Sequence, residues 1–139
     1  MFSEDSIMKK LIMIAFLTLF LVGCQEATTS TEDLYNQIIT ITAEQGKSMI
    51  DGNPDIILVD VRTTEEYALE HIPGAINLDV DVLLEQASTV LPDQSKIYIL
   101  YCRSGNRSHE AAFYMLYLGY PFVYDMGGII DWPYETVQG

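Results

Sequence analysis

The sequence predicts an α/β fold: a mostly parallel central sheet of about five strands, with helices covering both faces. Two observations carry this. The runs DIILVDV (Asp55 to Val61) and KIYILY (Lys96 to Tyr101) are continuously apolar and rich in β-branched or aromatic residues, as strands buried on both faces must be. Between and around such runs stand segments with helical periodicity and recognisable stops, so strand and helix alternate along the chain.

Taken in order, IITIT (Ile38 to Thr42) reads as a short strand, and AEQGKSMI (Ala43 to Ile50) as a helix ending near Asp51-Gly52. After the strand at Asp55 to Val61, Thr63 followed by Glu66 forms a capping box for the helix TEEYALEH. Ile72-Pro73-Gly74 ends that helix, because proline removes a backbone donor and glycine frees the chain to turn. AINL (Ala75 to Leu78) is a short strand, and VDVLLEQAS (Val80 to Ser88) a helix stopped before Pro92. Past the strand at Lys96 to Tyr101, RSHEAAFYMLYL places Ala111, Ala112, Met115 and Leu118 on one face, with Gly119 closing the helix. FVYD (Phe122 to Asp125) is the last strand, followed by Met126-Gly127-Gly128 and a short helix holding Trp132.

The N-terminal segment belongs to a different kind of structure. MKKLIMIAFLTLFLVGC (Met8 to Cys24) has two lysines, a short apolar stretch and a small residue before cysteine, the layout of a secretory signal. The stretch is too short to span a bilayer comfortably, which takes roughly 20 apolar residues. Leu21-Val22-Gly23-Cys24 resembles the lipobox of bacterial lipoproteins, which implies that Cys24 carries an acyl anchor and becomes the new N-terminus. The residues before Met8 carry two acids and no bases, so translation is expected to start at Met8. The expected organisation is a signal peptide over residues 1–23, a lipidated N-terminus and flexible tether over 24–36, and one domain over 37–139. The tether assignment rests on QEATTSTED, which is polar and lacks periodicity. The expected location is the extracytoplasmic or periplasmic face of a bacterial membrane.

Residues 24–139 hold five bases and eighteen acids, a net charge of −13 with histidine neutral. Such a surface is a poor partner for nucleic acid or anionic headgroups. Two of the five bases, Arg103 and Arg107, nevertheless stand within five residues of Cys102. An acidic chain that collects positive charge beside one thiol is suited to binding a small anion there. With Cys24 assigned to lipid, Cys102 has no disulfide partner in the chain, and no Cys/His cluster has the spacing of a zinc or iron–sulfur site. No cofactor or metal is expected.

Ligands of open parallel sheets gather beyond the carboxyl ends of the strands, where Cys102 is predicted to lie. The loop Arg103-Ser104-Gly105-Asn106-Arg107 then leads directly into a helix N-terminus. The helix dipole, the arginine charges and a loop able to turn its amides inward all favour thiolate over thiol. A reactive nucleophile is therefore expected at Cys102.

Four runs resemble the rhodanese-like domains in order and spacing: Asp60-Val61-Arg62 at a strand end, Glu70 to Ala75 (EHIPGA) with Asn77 behind it, CRSGNRS at 102–108, and Gly127-Gly128 before Trp132. The resemblance covers the chain from about Ile38 onward. It implies a three-layer rhodanese-like fold and a sulfurtransferase of the single-domain thiosulfate type, in which Cys102 takes a sulfane sulfur from thiosulfate or a similar donor, holds it as a persulfide, and passes it to a thiophilic acceptor such as a thiol, cyanide or a protein. Amides of residues 103 to 107 would cradle the anionic persulfide, with Arg103 and Arg107 binding the donor and Ser104, Gly105 and Asn106 completing the cradle. Asp60 and Arg62 are supporting residues at the neighbouring strand end, or an ion pair bracing the loops. His71 is read as a turn residue, His109 as solvated, and Trp132 as core or rim. Partners are then a small anionic donor, its acceptor and a membrane reached through the anchor, with the protein a monomer and no nucleic acid bound.

Two rivals differ from this reading. A cysteine phosphatase or arsenate reductase relative would need C-x5-R, whereas Cys102 to Arg107 is C-x4-R with Ser108 one step further on. A membrane-tethered sulfur carrier with little free thiosulfate turnover would keep the cysteine and lack the assay activity.

Overall fold

The computed structural model describes residues 28–139. The signal segment, the start at Met8 and Cys24 lie outside the described residues. Among the described residues, no helix is long and apolar enough to cross a membrane.

Five strands form one all-parallel sheet: β1 (Ile39–Thr40), β2 (Ile57–Asp60), β3 (Ile76–Asn77), β4 (Tyr98–Cys102) and β5 (Val123–Gly128). Their spatial order is β1-β5-β4-β2-β3, so β4 is central with β5 and β2 beside it. Among the described residues, five α-helices connect and flank them: α1 (Thr31–Tyr35), α2 (Ala43–Gly52), α3 (Thr64–Leu69), α4 (Val80–Val90) and α5 (Asn106–Tyr117). The predicted α/β architecture is the observed one.

The alternation of β4 explains the two cores. Tyr98, Leu100 and Cys102 point into one cluster with Leu83 and Ala87 of α4 and Ala111, Ala112 and Met115 of α5. Ile99 and Tyr101 point into the other, packed with Met49 and Ile50 of α2, Tyr67 of α3, and Trp132. Successive strand side chains face opposite sides, so every residue of β4 is buried. Full burial of a side chain such as Leu83, Leu100 or Met115 stabilises the fold by roughly 1.5–3 kcal/mol.

Three details differ from the sequence reading. The tether predicted over 24–36 contains α1, whose capping box has the Ser30 hydroxyl accepting from the Asp33 amide while the Asp33 carboxylate accepts from the Ser30 amide. Tyr35 at its end stacks on Phe113 of α5 at 4.4 Å, which holds the short helix on the domain. Strand β5 continues through Gly128 instead of ending at Asp125, and the final helix is one 3-10 turn, Ile129–Asp131, with Trp132 just after it. His71 is buried, not a free turn residue: it bridges Val137 of the C-terminal segment, stacks on Tyr67 at 3.7 Å and bonds the Tyr67 carbonyl through Nδ1 at 2.8 Å.

Candidate active site

Cys102 is the last residue of β4, and its side chain is 1% exposed. The chain then turns through Arg103, Ser104 and Gly105 into the first turn of α5. Gly105 is the N-cap and has φ +106°, a left-handed conformation that costs little only without a Cβ. This turn brings the Gly105 amide onto Cys102 Sγ, to which it donates at 3.0 Å.

The other helices that lead into the sheet are capped by side chains, from Thr42, Thr63 and Asp79. Helix α5 has no side-chain cap and no acid in its first turn. Its first amides have no intrahelical acceptor, so the end of α5 beside the sulfur favours an anion.

The loop rests on the end of β5. Between the pairs Leu100–Asp125 and Cys102–Gly128 the register shifts by one extra residue on β5, and Gly127 has φ +80°. That shift carries Gly128 directly beneath the loop. A Cβ there would lie 2.2 Å from the Arg103 carbonyl oxygen and 2.6 Å from Ser104 Cα, both backbone atoms that cannot step aside. The Gly127-Gly128 pair is thus the seat of the loop.

Each predicted site residue has a definite place. Arg103 and Ser104 are exposed at the loop's outer edge, and the Arg103 carbonyl accepts from the Ile130 amide at 3.3 Å. Among the described residues, no carboxylate forms a salt bridge with Arg103. Asn106 is exposed at the first helical position. Arg107 is engaged by Glu66, with Nη1 to Oε2 at 2.7 Å and Nη2 to Oε1 at 2.9 Å. This bidentate contact ties the loop to α3, and the hydrogen bonds from Arg107 hold the Glu66 carboxyl down at about 2, against a smaller upward effect of burial. The same bonds raise Arg107 above the usual arginine range.

Asp60 and Arg62 lie at the end of β2, on the Tyr101 side of the sheet rather than the Cys102 side. Arg62 Nε donates to Asp60 Oδ1 at 3.0 Å, and Nη2 donates to Oδ2 at 2.6 Å and to the Glu70 carbonyl at 2.5 Å. Burial pulls Arg62 down, but the hydrogen bonds and charge of Asp60 outweigh it and leave the guanidinium above its ordinary value. Asn77 closes the arrangement by donating to the carbonyls of both Asp60 and Arg62. The pair braces the turn into α3, and the Arg62 guanidinium lies over the Tyr101 ring, 5.8 Å from its centroid.

The sequence pattern did not reveal Ser108 beside the sulfur or Asp125 behind it, and His109, expected to be solvated, joins them. Ser108, one turn into α5 and fully buried, accepts from the Cys102 thiol at 3.7 Å. Its hydroxyl donates to Asp125 Oδ1 at 2.6 Å. Asp125 is also buried and accepts the Gly127 amide on Oδ1 at 2.9 Å, while His109 Nδ1 lies 3.2 Å from Oδ2. His109 is therefore paired with Asp125 and only half solvated. The available signal was an acid inside the apolar run FVYDM, where a buried charge needs partners. Glu66 was noticed for its capping role alone. Among the described residues, no group of His, Cys, Asp and Glu could hold a metal ion.

A single sulfur is met here by an inward-turned amide and the uncapped end of a helix, behind a C-x4-R loop. The rhodanese-like domain family matches residues 42–133. The chain belongs to the rhodanese-like family. It is 35% identical over 81 residues to the thiosulfate sulfurtransferase PspE of Escherichia coli, covering 58% of this chain and 78% of that protein. A tRNA uridine(34) hydroxylase of Photorhabdus laumondii is 37% identical over 97 residues, 66% of this chain but 27% of the hydroxylase. Among solved structures, a rhodanese with anions from Escherichia coli superposes with a TM-score of 0.57 at 33% identity, covering 60% of this chain and 99% of that one. The rhodanese-like fold expected from the sequence is the one these relatives share.

Proposed function

We propose that this rhodanese-like protein is a thiosulfate sulfurtransferase working through a persulfide on Cys102. The observation that carries the reading is the Gly105 amide donating to Cys102 Sγ at 3.0 Å beneath the uncapped end of α5. An amide aimed at the sulfur is placed to donate to the negative charge of the attacking and leaving sulfur. In the first half-reaction the Cys102 thiolate attacks the outer sulfur of thiosulfate. A new S–S bond forms, the donor's S–S bond breaks, and sulfite leaves with the bonding pair. In the second, cyanide or another thiophile attacks the terminal sulfur and Cys102 leaves as thiolate, a ping-pong cycle with no net redox change in the protein.

Arg103 is the donor-binding cation, because it stands at the loop's edge without a carboxylate partner among the described residues. Arg107 also contributes charge, but its bidentate bond to Glu66 makes loop closure its first task. The relative PspE, named a thiosulfate sulfurtransferase and covered over most of its length, supports this choice over a hydroxylase, of which the chain matches about a quarter. The C-x4-R count supports sulfur over a phosphoryl group. The deciding experiment is thiocyanate formation from thiosulfate and cyanide, run with wild type and Cys102→Ser. Turnover by the wild type and none by the variant is the expected result. No wild-type turnover, with a persulfide still formed from polysulfide, would favour the carrier role.

We also propose that Cys24 carries the lipid that anchors the protein. Mass spectrometry of membrane-extracted protein is expected to show an acylated N-terminal Cys24, and an unmodified intact N-terminus would remove the claim.

A further inference from the structure

The sulfur of Cys102 sits between two opposed hydrogen-bonding groups. On one side the Gly105 amide is a donor, which suits an anionic sulfur. On the other, Ser108 Oγ lies 3.7 Å away and presents lone pairs. A hydroxyl has one proton, and three acceptors compete for that of Ser108: the Gly105 carbonyl at 3.0 Å, the Gly127 carbonyl at 3.2 Å and Asp125 Oδ1 at 2.6 Å. The shortest contact is to the carboxylate, which wins because an ionised acceptor binds more strongly. Asp125 therefore fixes Ser108 as an acceptor toward the sulfur and prevents it from donating there.

Asp125 also brings its own charge. It is 4% exposed, so water screens it little, and it stands one hydroxyl away from a loop that must receive a dianion. Its compensation within the described residues is local: the Gly127 amide and Ser108 on Oδ1, and His109 on Oδ2. Tyr35 of α1 stacks 6.0 Å from the His109 ring and is the neighbour on its open side.

We infer that Asp125 is a built-in counterweight to the anion-binding loop: acting through Ser108, it weakens the hold on the donor anion and on the sulfite that leaves it, while His109 limits the penalty. Asp125 and His109 are positioning residues that do not touch substrate. The inference rests on the sulfur-transfer reading for its consequence, but its electrostatic content concerns any anion in the loop. No bond is made or broken by these groups.

Two variants separate charge from scaffolding because their effects have opposite signs. Asp125→Asn keeps an oxygen to accept from Ser108 and Gly127 but removes the charge. It is expected to tighten sulfite binding about tenfold, read as protection of Cys102 from iodoacetamide. His109→Ala leaves Asp125 less compensated and is expected to weaken sulfite protection several-fold. His109 is half exposed, so this variant tests the inference even where Asp125→Asn fails to fold. Losses of the same sign in both folded variants, unchanged protection in the folded His109→Ala protein, or no protection of the wild type by sulfite would overturn it. If the ordering of affinities holds while wild type yields no thiocyanate, the proposed function fails and the counterweight stands.

Discussion

Two arginine–carboxylate pairs flank the carboxyl end of the sheet, and they differ in almost every physical respect. Arg62 and Asp60 are close in sequence and have side chains 6% and 0% exposed; Arg107 and Glu66 are 41 residues apart and about one-third exposed. The first lies on the Tyr101 side and binds two backbone groups around the β2 end, the Arg62 amide through Asp60 and the Glu70 carbonyl through Arg62. The second crosses from α3 to the loop that carries Cys102. A buried pair is held in place by the cost of breaking it, whereas a half-exposed pair is cheap to open. The contrast assigns bracing to one and control of loop geometry to the other.

The largest effect should come from breaking the buried pair. Asp60→Ala leaves the Arg62 charge without its partner and is expected to cost about 3–5 kcal/mol in unfolding free energy, measured by urea denaturation. The double variant Asp60→Ala/Arg62→Met removes the stranded charge and should be more stable than Asp60→Ala alone. A double variant no more stable than the single would contradict the bracing role.

Breaking the exposed pair should do the reverse, sparing stability and harming turnover. Glu66→Gln is expected to change stability by no more than about 1 kcal/mol, while thiosulfate turnover drops about tenfold as the loop loses its tie to α3. Equal turnover in Glu66→Gln and wild type would reduce the Arg107 contact to a surface ornament.

Acid should distinguish the pairs more subtly. Glu66 is held at about 2 in the folded protein, below the ordinary value near 4.5. A carboxyl depressed on folding contributes stability that is fully present above about 4.5 and is lost as pH falls toward 2. The stability difference between wild type and Glu66→Gln should therefore shrink steadily over that window. A difference that is flat from pH 5 to pH 2 would refute the linkage.

The order of strands and helices was legible because burial writes itself into sequence. Leu58 to Val61 and Tyr98 to Tyr101, the ends of the two apolar runs, are buried on both faces and could hardly be anything else. The loop at Cys102 was legible because its residues are contiguous. What stayed hidden depends on contacts between distant segments: Glu66 with Arg107, and Ser108 with Asp125. The box formed by Ser30 and Asp33 was visible in STED but lay within a stretch dominated by polar, aperiodic residues. The Gly127-Gly128 pair was noticed as a motif, yet its reason, a loop backbone 2.2 Å from where a Cβ would stand, exists only in three dimensions.

In the proposed cycle Cys102 carries sulfur between donor and acceptor. Intact-protein mass spectrometry after incubation with thiosulfate tests it most directly. Wild type is expected to gain the mass of one sulfur atom, cyanide to remove it with release of thiocyanate, and Cys102→Ser to gain nothing. A wild-type protein that takes up no sulfur, or a Cys102→Ser variant that takes it up equally, would contradict the account.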